Sequence, residues 1–190
     1  MRIIRLRQLL LFSLSTLIAL HSLSAEEDAP FVLPDVHDPA RLIRVGDALL
    51  LYASPVEWWA YSLEDRDWDF LGDDLYDGNN PDWDLGDGAY WAPSIVQVDE
   101  NRYRLYHSAV YDEENHGSRI GFARGSAADG AIAWEPENEH VLGSDGYEQP
   151  FAIDPAVFLD DEGRHWLVYG SHAAGIWIVE LDPGSGLLGE

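Results

Sequence analysis

The chain has no cysteine, which excludes disulfides, thiolate nucleophiles and cysteine-ligated metal sites and leaves the redox compartment unreadable from cysteine pairing. It has no lysine either. All eleven basic residues are arginine, set against 35 acidic residues for a net charge of -24. A polyanion of this size repels phosphate backbones and anionic bilayers, so neither a nucleic-acid nor a membrane-surface partner is expected. The sequence also lacks a P-loop, a Gly-x-Ser-x-Gly elbow and a His-Glu-x-x-His zinc motif. Disorder is excluded by what is present: 46% hydrophobic residues, with eight Trp, nine Tyr and six Phe. The acids are spread along the chain, a pattern that fits a salt-tolerant surface and an ordinary acidic extracellular protein equally well.

The N-terminus reads as an export signal. Arg2, Arg5 and Arg7 precede the apolar run Leu9 to Leu20, and the small and polar stretch Ser22-Leu23-Ser24-Ala25 follows. At 12 residues the run is too short to span a bilayer. Cleavage after Ser24 or Ala25 is expected, with an uncleaved anchor as the alternative, giving a secreted or periplasmic protein with no membrane contact once mature. Without residues 1 to 25, which hold three Arg and no acid, eight Arg face 35 acids, a net -27. The expected organisation is a signal at 1–25, a lead-in at 26–36 and one domain from 37 to 190.

Within that domain one phrase occurs three times. His37-Asp38-Pro39-Ala40 leads to Leu51-Tyr52-Ala53-Ser54, Trp91-Ala92-Pro93-Ser94 to Leu105-Tyr106-His107-Ser108, and Ile153-Asp154-Pro155-Ala156 to Val168-Tyr169-Gly170-Ser171. Pro-to-Tyr spacings are 13, 13 and 14 residues. The extra residue is expected to be absorbed in the turn Asp160-Asp161-Glu162-Gly163. Val45-Gly46-Asp47 and Asp99-Glu100-Asn101 are the matching turns. Short runs of β-branched, aromatic and aliphatic residues lie between them, such as Ser94 to Val98, Ala156 to Leu159 and Ile176 to Leu181. No long helical pattern follows the signal. The three prolines are 54 and 62 residues apart, room for about four short strands per unit, the size of a β-propeller blade. The expected fold class is therefore all-β, a propeller, with a sandwich as the alternative.

The repeat places Asp38, Ala92 and Asp154 at one position, immediately before proline at the start of each unit. First strands of propeller blades line the central channel, so Asp38 and Asp154 are expected to face one cavity. Asp-Pro is also a common turn dipeptide. These phrases, with Trp166-Leu167-Val168-Tyr169-Gly170-Ser171, resemble successive signatures of family 43 glycoside hydrolases, and among them endo-α-1,5-L-arabinanases. The resemblance covers roughly residues 35 to 190. It implies a five-bladed propeller, of which about three blades are here, and hydrolysis with inversion at the anomeric carbon.

The resemblance further implies a general base at Asp38 and, at Asp154, a carboxylate that orients the general acid and raises its pKa. Trp91, His37 and Ser171 match substrate-binding positions. An inverting pair stands about 6.5 to 9.5 Å apart so that a water fits between base and sugar. Phe151, Ser94 and His172 depart from the family's usual residues, which leaves linear arabinan, arabinofuranosyl side chains and xylan oligomers all open as polysaccharide or oligosaccharide substrates. An arabinofuranosidase or β-xylosidase and a non-catalytic glycan-binding propeller are the competing readings.

No cofactor is expected for the chemistry. The acidic stretch Asp77 to Gly88 does not follow an EF-hand pattern and is expected to be a solvated loop. Family members often hold a calcium in the channel, on a His that would lie beyond residue 190. The general-acid Glu is expected one further period on, at about positions 208 to 216. The 190 residues alone are accordingly expected to be inactive, with a complementary C-terminal fragment as a candidate partner.

Overall fold

The computed structural model describes residues 32–86, 89–147, 149–171 and 174–189. The expected signal lies outside the described residues, as does His172. Of the two units into which the chain divides, the second is Pro34–Glu190. Among the described residues of the second there are twelve β-strands and no helix.

The strands form three antiparallel sheets in chain order. Blade 1 contains β1 (Ile43–Val45), β2 (Ala48–Ala53), β3 (Glu57–Ser62) and β4 (Asp67–Gly72), paired in that order. Blade 2 contains β5 (Tyr90–Gln97), β6 (Arg102–Asp112), β7 (Gly117–Ala128) and β8 (Ala131–Pro136), with β9 (Leu142–Asp145) added alongside β7. Blade 3 contains β10 (Ala156–Leu159), β11 (His165–Ser171) and β12 (Gly175–Leu181). The four strands expected per unit thus hold for blade 1, while the described residues give five in blade 2 and three in blade 3. All three expected turns fall between first and second strands. In the third, Gly163 takes a φ of 77° and its N–H closes on the Asp160 carbonyl at 3.0 Å.

Alternation along the strands packs the sheets face to face. On β5, Ile95 joins the core shared with blade 1, alongside Leu50 and Tyr52, whereas the next residue, Val96, joins the core shared with blade 3, alongside Val157 and Leu167. Leu105 and Tyr106 divide in the same way on β6. Full burial of one such side chain contributes about 1.5–3 kcal/mol, so these two joints hold the blades together far more than exposed ion pairs such as Arg164–Asp160 do.

Each first strand enters its sheet through the same irregularity. The Ser54 N–H donates to the His37 carbonyl and the Ala40 N–H to the Tyr52 carbonyl, both at 2.8 Å. In blade 2, Trp91 pairs with Ser108 and Ser94 with Tyr106. In blade 3, the Gly170 N–H donates to the Ile153 carbonyl at 3.0 Å and Ala156 pairs with Val168. Three steps along the first strand answer two along the second, which is a β-bulge. The two residues that face a single one across the bulge are the proline, which has no N–H to leave unpaired, and the residue before it.

This register corrects one expectation. The extra residue of the third repeat is not absorbed in the turn, because Val168, not Tyr169, stands where Tyr52 and Tyr106 stand. A one-residue offset turns side chains to the opposite face. Tyr169 accordingly points to the core shared with blade 2, and Gly170 takes the place of Ser54 and Ser108. Ser171 lies one residue further on, paired with Gly175. Gly170 has a φ of 117°, and a Cβ there would run into the Gly175 carbonyl oxygen.

Candidate active site

Asp38, Ala92 and Asp154 have φ of 45°, 46° and 53°. Positive φ is uncommon outside glycine, and the residue before proline is steered toward extended backbone. Such a conformation costs about 1–3 kcal/mol and persists only where its surroundings hold it. Ala92 adopts it without any polar side chain, so the strain belongs to the repeated bulge. What differs between blades is the side chain that the bulge presents.

The three bulges open on one cavity. Residues 38–41, 92–95 and 154–157 line a space of about 460 Å³. Asp38 and Asp154 are the carboxylates among its lining residues, and Arg41 is the cation. The Asp38 carboxylate is held through Oδ2, which lies 2.8 Å from His37 Nδ1 and accepts from Ser54 Oγ at 3.2 Å. Asp154 is held through its backbone, its N–H donating to Ser108 Oγ at 3.1 Å. Burial first, and the Asp38 charge second, push the Asp154 carboxyl above its ordinary value, while His37 opposes them. Asp38, Asp154 and His37 therefore share one electrostatic environment.

The other expected residues lie nearby without entering the cavity lining. Trp91 is half-buried beside Ala92, paired with Ser108, and Ser171 sits at the end of β11. Ser54, Ser94 and Ser108 were not expected. The Ser94 hydroxyl accepts from the Val157 N–H at 2.9 Å and ties blade 2 to blade 3. Ser54 and Ser108 close the repeated phrase itself, and that recurrence was the available signal.

The acidic stretch before Tyr90 is more than a solvated loop. Trp83 is buried, stacks on the His107 ring at a centroid distance of 5.7 Å and donates its indole N–H to the Glu137 carbonyl at 2.8 Å. Asp84 accepts from the Tyr90 hydroxyl at 3.0 Å. Among the described residues no group of three or more His, Asp or Glu side chains is disposed to hold a metal ion, and no step of the chemistry is routed through one.

Residues 28–190 match the family model described as Glycosyl hydrolases family 43. The chain belongs to this family. It is 29% identical to the extracellular endo-α-(1→5)-L-arabinanase of Thermotoga petrophila, over 93% of this chain and 42% of that protein. It is 31% identical to an extracellular exo-α-(1→5)-L-arabinofuranosidase of Cellvibrio japonicus, over 78% of this chain and 44% of that one. Among solved structures, the Cellvibrio cellulosa α-L-arabinanase complexed with arabinohexaose superimposes with a TM-score of 0.69 at 26% identity, over 84% of this chain and 52% of that chain. The family 43 arabinanase fold is a five-bladed propeller, and this family 43 chain forms three of its blades, spanning about half the length of its relatives or less.

Proposed function

We propose that this chain carries the base-bearing part of an inverting, exported glycoside hydrolase that cleaves α-L-arabinofuranosyl linkages of plant polysaccharide. The observation that carries the reading is the convergence of Asp38 and Asp154, from two repeats, on one cavity. The substrate class is the one common to the names of the Thermotoga and Cellvibrio japonicus relatives, one endo-acting and one exo-acting. Their extracellular naming supports export.

In this reading Asp38 takes a proton from a water as its oxygen attacks the anomeric carbon. The bond to the leaving oxygen breaks on the opposite face, and a general acid protonates that oxygen. Asp154 raises the acid's pKa by like charge and fixes its orientation. The acid is assigned to a Glu of the following repeat. Trp91 and His37 flank the sugar, with Ser171 at the rim. The apolar outer face of blade 3 supports a further blade there, in the same polypeptide or as a complementary fragment. Phe158 is 42% exposed, whereas its counterpart Val96 is buried against blade 3.

A substrate that needs no acid tests this. Dinitrophenolate leaves a sugar without being protonated, so a dinitrophenyl α-L-arabinofuranoside requires only the base. The 190-residue chain is expected to release dinitrophenolate and to leave linear arabinan intact. Asp38→Asn is expected to lower the release by about 10²- to 10⁴-fold while arabinohexaose binding persists. Equal release from both proteins removes Asp38 as the base and favours a non-catalytic glycan-binding module. Cleavage of linear arabinan by this chain refutes the placement of the acid.

A further inference from the structure

The position across from each blade's bulge is Ser54 in blade 1, Ser108 in blade 2 and, by the shifted register of β11, Gly170 in blade 3. Both serines do one thing in common. Each accepts the N–H of the residue before proline in the following blade: Ala92 N–H to Ser54 Oγ at 2.6 Å, and Asp154 N–H to Ser108 Oγ at 3.1 Å. A hydroxyl that accepts in this way still has its own hydrogen to give. Where that hydrogen goes depends on the residue facing the serine across its own sheet.

For Ser108 the facing bulge offers Trp91 and Ala92, with no carboxylate. For Ser54 it offers His37 and Asp38, and the hydroxyl donates to Asp38 Oδ2. His37 Nδ1 lies 2.8 Å from that same oxygen. Neither contact goes to Oδ1. Asp154 sits on the same bulge in blade 3, but Gly170 has no hydroxyl to offer, and no side chain among the described residues donates to the Asp154 carboxylate.

Resting on the reading of Asp38 as the base, we infer that Ser54 is its positioning residue, pinning Oδ2 so that Oδ1 is reserved for the attacking water. The Ser54/Gly170 difference then separates the roles of two carboxylates that share one backbone conformation. Asp154, with no such donor, remains under the influence of burial and of Asp38. Ser54 is 8% exposed, so little water is at hand to replace its hydrogen bond. The same oxygen closes the joint between blades 1 and 2, which ties the aim of the base to the packing of the sheets.

The test uses the 190-residue chain and dinitrophenyl α-L-arabinofuranoside. In Ser54→Ala, kcat is expected to fall about tenfold, the scale of one hydrogen bond to a charged group, with KM within about twofold. Ser54→Thr, which keeps the hydroxyl, is expected to restore kcat to within about threefold. A folded Ser54→Ala with wild-type kcat overturns the role of Ser54 while leaving Asp38 as base. A wild-type chain that releases no more dinitrophenolate than Asp38→Asn overturns both together. Independently of any variant, a crystal structure of the wild-type chain with an arabinofuranoside bound is expected to show the water between sugar and base on Oδ1. Finding that water on Oδ2 overturns the inference.

Discussion

The two joints between blades are built on one plan and hold different chemistry. In each, a second-strand serine accepts the amide of the next blade's bulge, and aliphatic and aromatic side chains fill the space between sheets. Facing blade 1, β6 places His107, fully buried, at 2.7 Å from the Tyr76 hydroxyl and with its ring centre 4.2 Å from that of Tyr90. At the corresponding position in the next joint, β11 places Tyr169. The scaffold thus repeats while the side chains at two or three positions decide which joint carries the fully buried His107 and which serine reaches a carboxylate. In a repeat protein, function is to be sought where equivalent positions differ.

Acid should break the two joints unequally. Burial pulls the His107 imidazole down to about 3, while in an unfolded chain it protonates below about 6.5. The unfolded state therefore takes up the proton first. The stability held by neutral His107 is complete above about pH 6.5 and is lost as pH falls toward 3, by roughly 4 kcal/mol at the acid end. Urea unfolding at pH 7 and pH 4.5 is expected to show this loss, and His107→Phe to reduce it. Hydrogen exchange at pH 4.5 is expected to quicken first around Tyr76 and Leu105. Faster exchange around Leu167 instead would reverse the comparison.

A smaller effect sharpens it from the other side. Ser108 is fully buried, so Ser108→Ala leaves the Asp154 N–H without its acceptor and is expected to cost about 1–3 kcal/mol in urea unfolding at pH 7. Because the alanine carries no titratable group, the loss should be the same at pH 4.5. A loss that grew with acid would place a proton-linked role at Ser108 that its contacts do not provide.

Much of this was legible in the residues. Recurrence of Asp-Pro or Ala-Pro before a strand marked the bulges, and Gly46 and Gly163 marked hairpins whose strands formed as expected. The slip in blade 3 was not legible. Spacings of 13 and 14 residues are equally compatible with a longer turn and with a shifted strand, and only the pairing of Ala156 with Val168 distinguishes them. Tyr169 looked equivalent to Tyr106 because both are aromatic, yet they face opposite sides of their sheets. The anchoring of the acidic loop was hidden for a different reason. Composition around Asp82 and Asp84 indicates solvent, whereas Trp83 between them finds its space against Gly121, 38 positions away in sequence, a tertiary contact that local composition does not carry. Ser54 recurs at the close of the repeated phrase, but what that serine does emerges only from its two partners, Asp38 and Ala92.

The central claim is that Asp38 and Asp154, from different repeats, share one electrostatic site. Carboxyl-carbon NMR of Asp154 through a pH titration tests it most directly. In the wild-type chain Asp154 should titrate above the ordinary carboxylate range, because burial and the charge on Asp38 both disfavour its ionisation. In Asp38→Asn the charge is gone and burial remains, so the midpoint should move part of the way back down. A midpoint that does not respond to Asp38→Asn would mean that the two carboxylates do not meet, and the site assembled from three repeats would fall with it.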